Sequence, residues 1–271
     1  MKKLIKLLFE IFILFIIIQS LFLTKKYLIG IPLLLIYLVY KLFKNKASIL
    51  AFIGNIYFNK NNYKEALDYY NASSRSFKCD DSIKIRYAYI SLYCGDLNKC
   101  KEILTLIPSN HLPEKLKSSY KITEALYTWK SGNIENAIEI CKTIDENYTN
   151  TLVYETLGYL LIISEKYQEA LIYNRKAYEY DNSSNIIIDN LAQSYYYLGY
   201  YEKAQELYKS LLCSTDKDLS FSEPYYYYGL ILNKLGDKDG CINYLKEALT
   251  KKESFLSDLT HQKISEVLAS M

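Results

Sequence analysis

Catalytic chemistry has little to work with in this chain. Its 271 residues hold two histidines, His111 and His261, far apart in sequence. No glycine-rich phosphate loop, HExxH, GxSxG or paired-carboxylate cluster appears. The six cysteines (Cys79, Cys94, Cys100, Cys141, Cys213 and Cys241) include no CxxC pair, so zinc and thioredoxin-like patterns are unsupported. The carboxylates are scattered and lie beside lysines, as in Glu202/Lys203 and Lys246/Glu247. These absences point away from an enzyme: no catalytic residue, cofactor or metal site is expected. Arginine is nearly missing as well, at Arg75, Arg86 and Arg175 alone, while Lys, Asn, Ile and Tyr abound. That balance is the composition of an AT-rich bacterial genome.

The basic residues are not spread evenly. Residues 1–46 contain Lys2, Lys3, Lys6, Lys25, Lys26, Lys41, Lys44 and Lys46 against one acid, Glu10. They carry +7 of a chain whose net charge is +3, which leaves −4 on the remainder. A basic surface for nucleic acid loses its main support.

The lysines instead flank two apolar runs, Leu4–Leu23 and Tyr27–Phe43. At 1.5 Å per residue the first reaches roughly 30 Å, the hydrocarbon thickness of a bilayer. The second has roughly the 17 residues at the lower limit for a span. Thr24-Lys25-Lys26 is their only connection, which suggests a transmembrane helical hairpin. A cleaved signal peptide is the rival for the first run, but no small-x-small cleavage site follows it. Lysines at both ends outnumber those in the turn, which favours both ends in the cytoplasm. Unpaired thiols at sites expected to be buried suit the same reducing compartment. The expectation is a cell-membrane protein whose larger part is cytoplasmic.

That larger part repeats. Leu157-Gly158, Tyr167 and Ala170 precede Leu191-Ala192, Tyr201 and Ala204 by 34 residues. A fixed period of this length means stacked supersecondary units in place of one globular core. Units start near Ala47, Asp81, Ser118, Thr151, Asn185 and Ser222. Their eighth positions read Gly54, Ala88, Ala125, Gly158, Ala192 and Gly229. Their twentieth read Ala66, Cys100, Ala137, Ala170, Ala204 and Cys241. Between the two columns stand turn residues: Asn61-Asn62, Gly95-Asp96, Gly132-Asn133, Glu165-Lys166, Gly199-Tyr200 and Gly236-Asp237. Gly and Asn tolerate the left-handed backbone such a turn requires.

These columns resemble the tetratricopeptide repeat, a helix–turn–helix unit. The resemblance implies an all-α solenoid: six repeats over residues 47–255, preceded by a membrane anchor at 1–46. Small residues at positions 8 and 20 would mark the close crossing of helices A and B. Residues 256–271 would form a closing helix, with Leu256, Leu259, Ile264, Val267, Leu268 and Met271 on its apolar face. The third copy departs from the pattern at Glu124 and Thr128, which puts its register in question. Three-residue insertions fall near Pro108–Lys117 and Leu212–Phe221, as longer loops or as breaks between subdomains.

The resemblance also implies a function, the holding of protein or peptide partners in a concave groove lined by helix A. Tyrosine is the compositional outlier at 30 residues, and much of it fills large core positions of the repeat. The groove positions hold Tyr89, Tyr93, Trp129, Tyr159, Tyr196, Tyr197 and Tyr226, either as a ligand strip or as inter-repeat packing. Asn190, between the aromatics, would bond a ligand's backbone. Asn55, Arg86, Asn190 and Lys130 are too dispersed for the carboxylate clamp known in some members. The expected protein is a membrane-anchored interaction scaffold, bound to the bilayer through residues 1–46, whose partner is itself membrane-bound. Two alternatives stay open: a peptide-sensing regulatory receptor, and, with reversed topology, an extracytoplasmic envelope or secretion assembly factor. A sensor would be expected to carry an output module, and none is read outside the repeats.

Overall fold

The structure, a computed structural model, describes residues 2–23, 27–145, 150–213 and 219–271. These residues are all-α and pack as two compact units, Met1–Ile83 and Lys84–Met271.

The first unit opens with α1 (Lys2–Ile18), which passes into a π-helical turn at Gln19–Leu23, and α2 (Tyr27–Lys44). Glu10 accepts from Lys41 Nζ at 2.8 Å and also from Lys44. A Cβ on Gly30 would stand 2.7 Å from Cδ2 of Leu21. Contacts of 10 with 41 and of 21 with 30 set the two helices antiparallel. The expected turn at Thr24–Lys26 lies outside the described residues. Among the described residues, α2 alone is long and apolar enough to cross a membrane. The expected first span is divided where Gln19 and Ser20 bring a change from α to π geometry, so the reading of two spans is reduced to one helix of membrane length.

Asn45 separates α2 from α3 (Lys46–Asn59) without ending the helical path. Its N–H bonds the Lys41 carbonyl and its own carbonyl receives the Ile49 N–H, each at 3.0 Å. The apolar helix therefore runs into the first repeat with no linker. α4 (Tyr63–Ser74) returns along α3, where Gly54 faces the ring of Tyr70 and Ser73 Oγ donates to the Ala47 carbonyl at 2.6 Å.

The boundary between the units falls in α5 (Asp81–Tyr93). In the second unit α6 (Leu97–Thr105) follows it, then α7 (Glu114–Lys130) with α8 (Ile134–Asp145) and α9 (Thr151–Ile163) with α10 (Tyr167–Tyr180). Next come α11 (Asn185–Tyr197) with α12 (Tyr201–Cys213), α13 (Glu223–Lys234) with α14 (Lys238–Thr250), and α15 (His261–Ala269). The first insertion is a loop containing one 3-10 turn at Ser109–His111. Residues 214–218 of the second lie outside the described residues. In α7 the register resolves with Ile122, Ala125, Leu126 and Trp129 inward.

The small columns do what sterics demand. Every residue at the twentieth position is 0 % exposed, because helix A of the same unit passes directly over it. All six turns place one residue in the left-handed region: Asn61, Gly95, Gly132, Glu165, Gly199 and Gly236. Glu165, at φ 60°, is the one that carries a strained side chain there. The thiols of Cys100 and Cys141 are pushed up to about 12 by burial, so they behave as small hydrophobes.

Two buried polar groups tie the middle of the stack. Asn174 stands at position 24, where the other units bury Tyr70, Leu104, Cys141, Tyr208 and Leu245. Its Nδ2 donates to Ser194 Oγ at 3.0 Å, which donates in turn to the Asn190 carbonyl at 2.8 Å. A Cβ at Gly158 would sit 2.0 Å from Asn174 Oδ1. Asp189, also buried, accepts from Gln193 Nε2 and Tyr208 Oη, both at 2.8 Å. Burial holds its carboxyl well above the usual carboxylate range.

Gly158→Ala should therefore cost about 1–3 kcal/mol, typical of overpacking. Chemical denaturation of the single variant, of Asn174→Ala and of the pair measures this, and the pair should be less than additive. Asp189 supplies a second expectation. A carboxyl whose folded pKa is raised stabilises fully below its unfolded pKa and loses that stability as pH rises through the folded value. Asp189→Asn should thus gain on the native chain between pH 4.5 and 7.5. Urea midpoints at the two pH values check the sign, and a gain toward acid would contradict it.

Candidate functional site

Helix A of each unit contributes positions 9, 12 and 13 to one face, since residues three and four apart on a helix lie together. Lys130 and Trp129 at the end of α7 and Tyr159 in α9 meet on that face. The Trp129 and Tyr159 rings lie edge-to-face with centroids 5.7 Å apart, and Lys130 Nζ stands 3.9 Å from the Trp129 ring. Such a contact is favourable for a cation partly withdrawn from water, and burial lowers the Lys130 pKa from its usual value.

A second aromatic group is built by α11 and α13. Tyr196 and Tyr197 meet Tyr227 at 5.5 and 5.8 Å, and Tyr226 meets Tyr227 at 5.1 Å. The hydroxyls of Tyr197 and Tyr227 lie 2.8 Å apart, and Tyr167 from α10 stacks on Tyr197 at 4.4 Å. Burial pushes the Tyr196 and Tyr226 phenols up to about 12, so both stay protonated hydrogen-bond donors. A cavity of about 110 Å³ joins the two groups, lined by Tyr159, Gln193, Tyr197, Glu223, Tyr227 and Asp258 among others. Tyr89 and Tyr93 form a third pair at 6.4 Å, with the Arg86 guanidinium over Tyr89 at 5.3 Å.

The expected site residues thus fall into three clusters, with different degrees of access. Tyr197 is 36 % exposed, whereas Trp129 at 9 % and Tyr226 at 4 % are buried. Asn190 does not reach the groove. It is 1 % exposed, and its Nδ2 donates to the Glu155 carbonyl of α9 at 2.9 Å, so its amide joins two helices instead of meeting a ligand. Tyr227, Glu223 and Lys130 were not expected as site residues. Lys130 does stand at groove position 13 of its unit, which is the signal that could have singled it out.

The groove is not open. The chain between α14 and α15 does not form the expected helix from residue 256; α15 starts at His261, capped by Thr260, whose side chain accepts from Lys263 N. Serines hold the segment before it in turns: the Leu256 N–H bonds Ser254 Oγ at 3.2 Å and the Leu259 N–H bonds Ser257 Oγ at 2.9 Å. Such side chains compete with helix formation for backbone donors. The ends of the loop are tied by His261 Nε2 and the Lys251 carbonyl at 2.8 Å. Its tip lies across the groove. Lys130 Nζ donates to the Ser257 carbonyl at 3.0 Å, and the Tyr159 hydroxyl accepts from the Asp258 N–H at 2.7 Å. Ser257 Oγ donates to Glu223, whose carboxyl burial raises above its ordinary range. Phe255 covers the α5–α6 turn at Gly95 and lies under Lys130, 5.1 Å from its Nζ. Among the described residues no cluster of three His, Cys, Asp or Glu side chains is placed to hold a metal.

Comparison with known proteins finds this arrangement elsewhere. Tetratricopeptide-repeat models match residues 47–75, 187–222 and 222–253. A tetratricopeptide-repeat-containing protein of Methanocaldococcus jannaschii is 28 % identical over 204 residues, 73 % of this chain and 31 % of that one. The transcriptional activator NprA of Geobacillus stearothermophilus is 23 % identical over 202 residues, 66 % of this chain and 50 % of that one. The chain thus spans a third to a half of the length of these relatives. Among solved structures, the APC/C hetero-tetramer Cut9–Hcn1 superposes with a TM-score of 0.63 at 17 % identity, covering 82 % of this chain and 42 % of that one. Repeat arrays of this type bind protein partners and act as interaction scaffolds, and they are generally non-catalytic. Matched segments, paired helices and small crossing residues agree on a helical repeat array of the tetratricopeptide type, with the repeat models matching residues 47–75 and 187–253.

Proposed function

We propose that the protein is a membrane-anchored scaffold that holds a protein partner in the groove lined by α7, α9, α11 and α13. The observation that carries this reading is the joined pair of aromatic clusters around Tyr159, Tyr197 and Tyr227. Aromatic and cationic groups side by side are the usual anchors of an interface, because they bury large area at low entropy cost. The partner is an extended or helical segment of another protein. α2 is the spanning helix of the anchor, and α1 with its π-helical extension packs antiparallel to it as the second arm of a hairpin, with the repeats on the cytoplasmic side. Because α2 continues into α3 with no linker, the first repeat lies at the membrane surface and the partner is itself membrane-bound. The likeness to NprA favours a second reading, a regulatory receptor. It differs in expecting a short free peptide as the retained ligand.

Capture from detergent-solubilised membranes, read by mass spectrometry, tests the scaffold. Tyr159→Ala and Tyr197→Ala should each weaken capture by about 2 kcal/mol, the size of an interface anchor. Lys176→Ala, on the exposed face of α10, should leave it unchanged. Equal capture by all three folded variants would move the partner site to the outer surface. The anchor is tested by labelling Lys3→Cys and Ser48→Cys chains in sealed vesicles with a membrane-impermeant maleimide. A hairpin makes both positions reactive from the same side, and labelling from opposite sides would leave α2 as a single span.

A further inference from the structure

The loop across the groove breaks the rule of its own architecture. In a solenoid each unit touches its neighbours, yet Lys130 and Ser257 are 127 residues apart, and Tyr159 and Asp258 are 99 apart. These contacts come from the loop tip alone. It presents a carbonyl and the next N–H, from consecutive residues, to one donor and one acceptor on the groove wall. It adds an aromatic ring under the Lys130 ammonium and a hydroxyl on Glu223. That is how a peptide is recognised: backbone groups fix register, and one side chain in a pocket gives specificity.

We propose that Lys252–Thr260 is a ligand built into the chain. The groove it fills is the site for an extended partner segment of the same chemistry: an aromatic residue, two positions ahead of a small hydroxyl residue whose carbonyl meets Lys130. The proposal rests on the groove reading above and adds its regulation, because partner and loop exclude each other. A tethered ligand is present at high effective concentration, so the groove admits a partner only in the fraction of molecules whose loop has left. Phe255 remains 37 % exposed and Asp258 is exposed, so the tip can be displaced while Leu259, 5 % exposed within the core, keeps the end of the loop in place.

The chain carries its own reporter, since Trp129 is its one tryptophan and lies beneath Lys130 in the groove. The test uses the full chain in detergent, with Phe255→Ala and Asp258→Pro to remove the ring and the N–H donor. The probe is a synthetic peptide with the sequence of residues 251–260, blocked at both ends. The released chain should show Trp129 emission at longer wavelength, and the peptide should restore it saturably. The native chain should bind the peptide at least about tenfold more weakly, as competition by a tethered ligand requires. A Phe255→Ala version of the peptide should fail to bind the released chain. Unchanged emission in the released chain, or equal peptide affinity for both chains, would overturn the proposal. Tyr159→Phe, which removes no backbone group of the loop, gives a second measurement. Hydrogen exchange should rise at residues 252–260 and not in α9, and uniform exchange in both segments would also overturn it. Failure of the scaffold reading is separable. Peptide binding without any captured partner would reject the scaffold and keep the loop, and equal partner capture by native and released chains would do the reverse.

Discussion

The close crossing of helices A and B within each repeat is the contact on which the rest depends. It can be made only where a small residue on each helix lets the backbones approach, at Gly54 with Ala66 or Gly229 with Cys241. The large residues around the crossing then have one place to go. Tyr70 closes over Gly54, and Tyr208 and Leu245 fill the same position in later units. Overpacking at a crossing is felt at once, because dense interiors relax little. The crossing also fixes which side of helix A faces outward, and so decides which residues line the groove.

That dependence explains what the sequence made legible. The small columns and the left-handed turns are steric requirements, and a steric requirement leaves its mark residue by residue. Helix starts at Thr151 and Asn185 coincide with the unit starts read from spacing alone. The groove was legible only as a set of helix positions. Position says which side chains share a face, but not how much of each face remains exposed once neighbouring units pack. Tyr226 and Asn190 are buried for that reason, and Tyr227, one residue along, is buried too but lines the cavity.

Two features left no such mark. Asn174 stands where the other units bury apolar or aromatic side chains, and nothing local announces that Ser194 and the Gly158 carbonyl will accept from its amide nitrogen. The loop at Lys252–Thr260 reads as the first turn of an amphipathic helix, with Leu256 and Leu259 on one stripe. Ser254, Ser257 and Asp258 argue for turns, but the contacts that choose between the readings lie 99 and 127 residues away. Local pattern cannot encode a choice made at that distance. The N-terminal runs show the converse. Hydropathy marked both, and the π-helical turn after Ile18 then left one helix of spanning length.

The loop also changes what kind of solenoid this is. An open array of repeats gains stability from nearest neighbours, and its ends fray first. Here the loop before α15 returns to α7 and α9, so the second unit is closed by a strap as well as stacked. Closing so long a loop would be costly in an unfolded chain, but the stacked repeats already hold Lys130, Tyr159 and Glu223 on one face. What remains is the entropy of ordering a few residues, which is small enough for a handful of contacts to offset and for a competing segment to reverse. The same tyrosines therefore serve packing and recognition. The strap separates those roles, because it covers the groove without contributing to the helix crossings that build it.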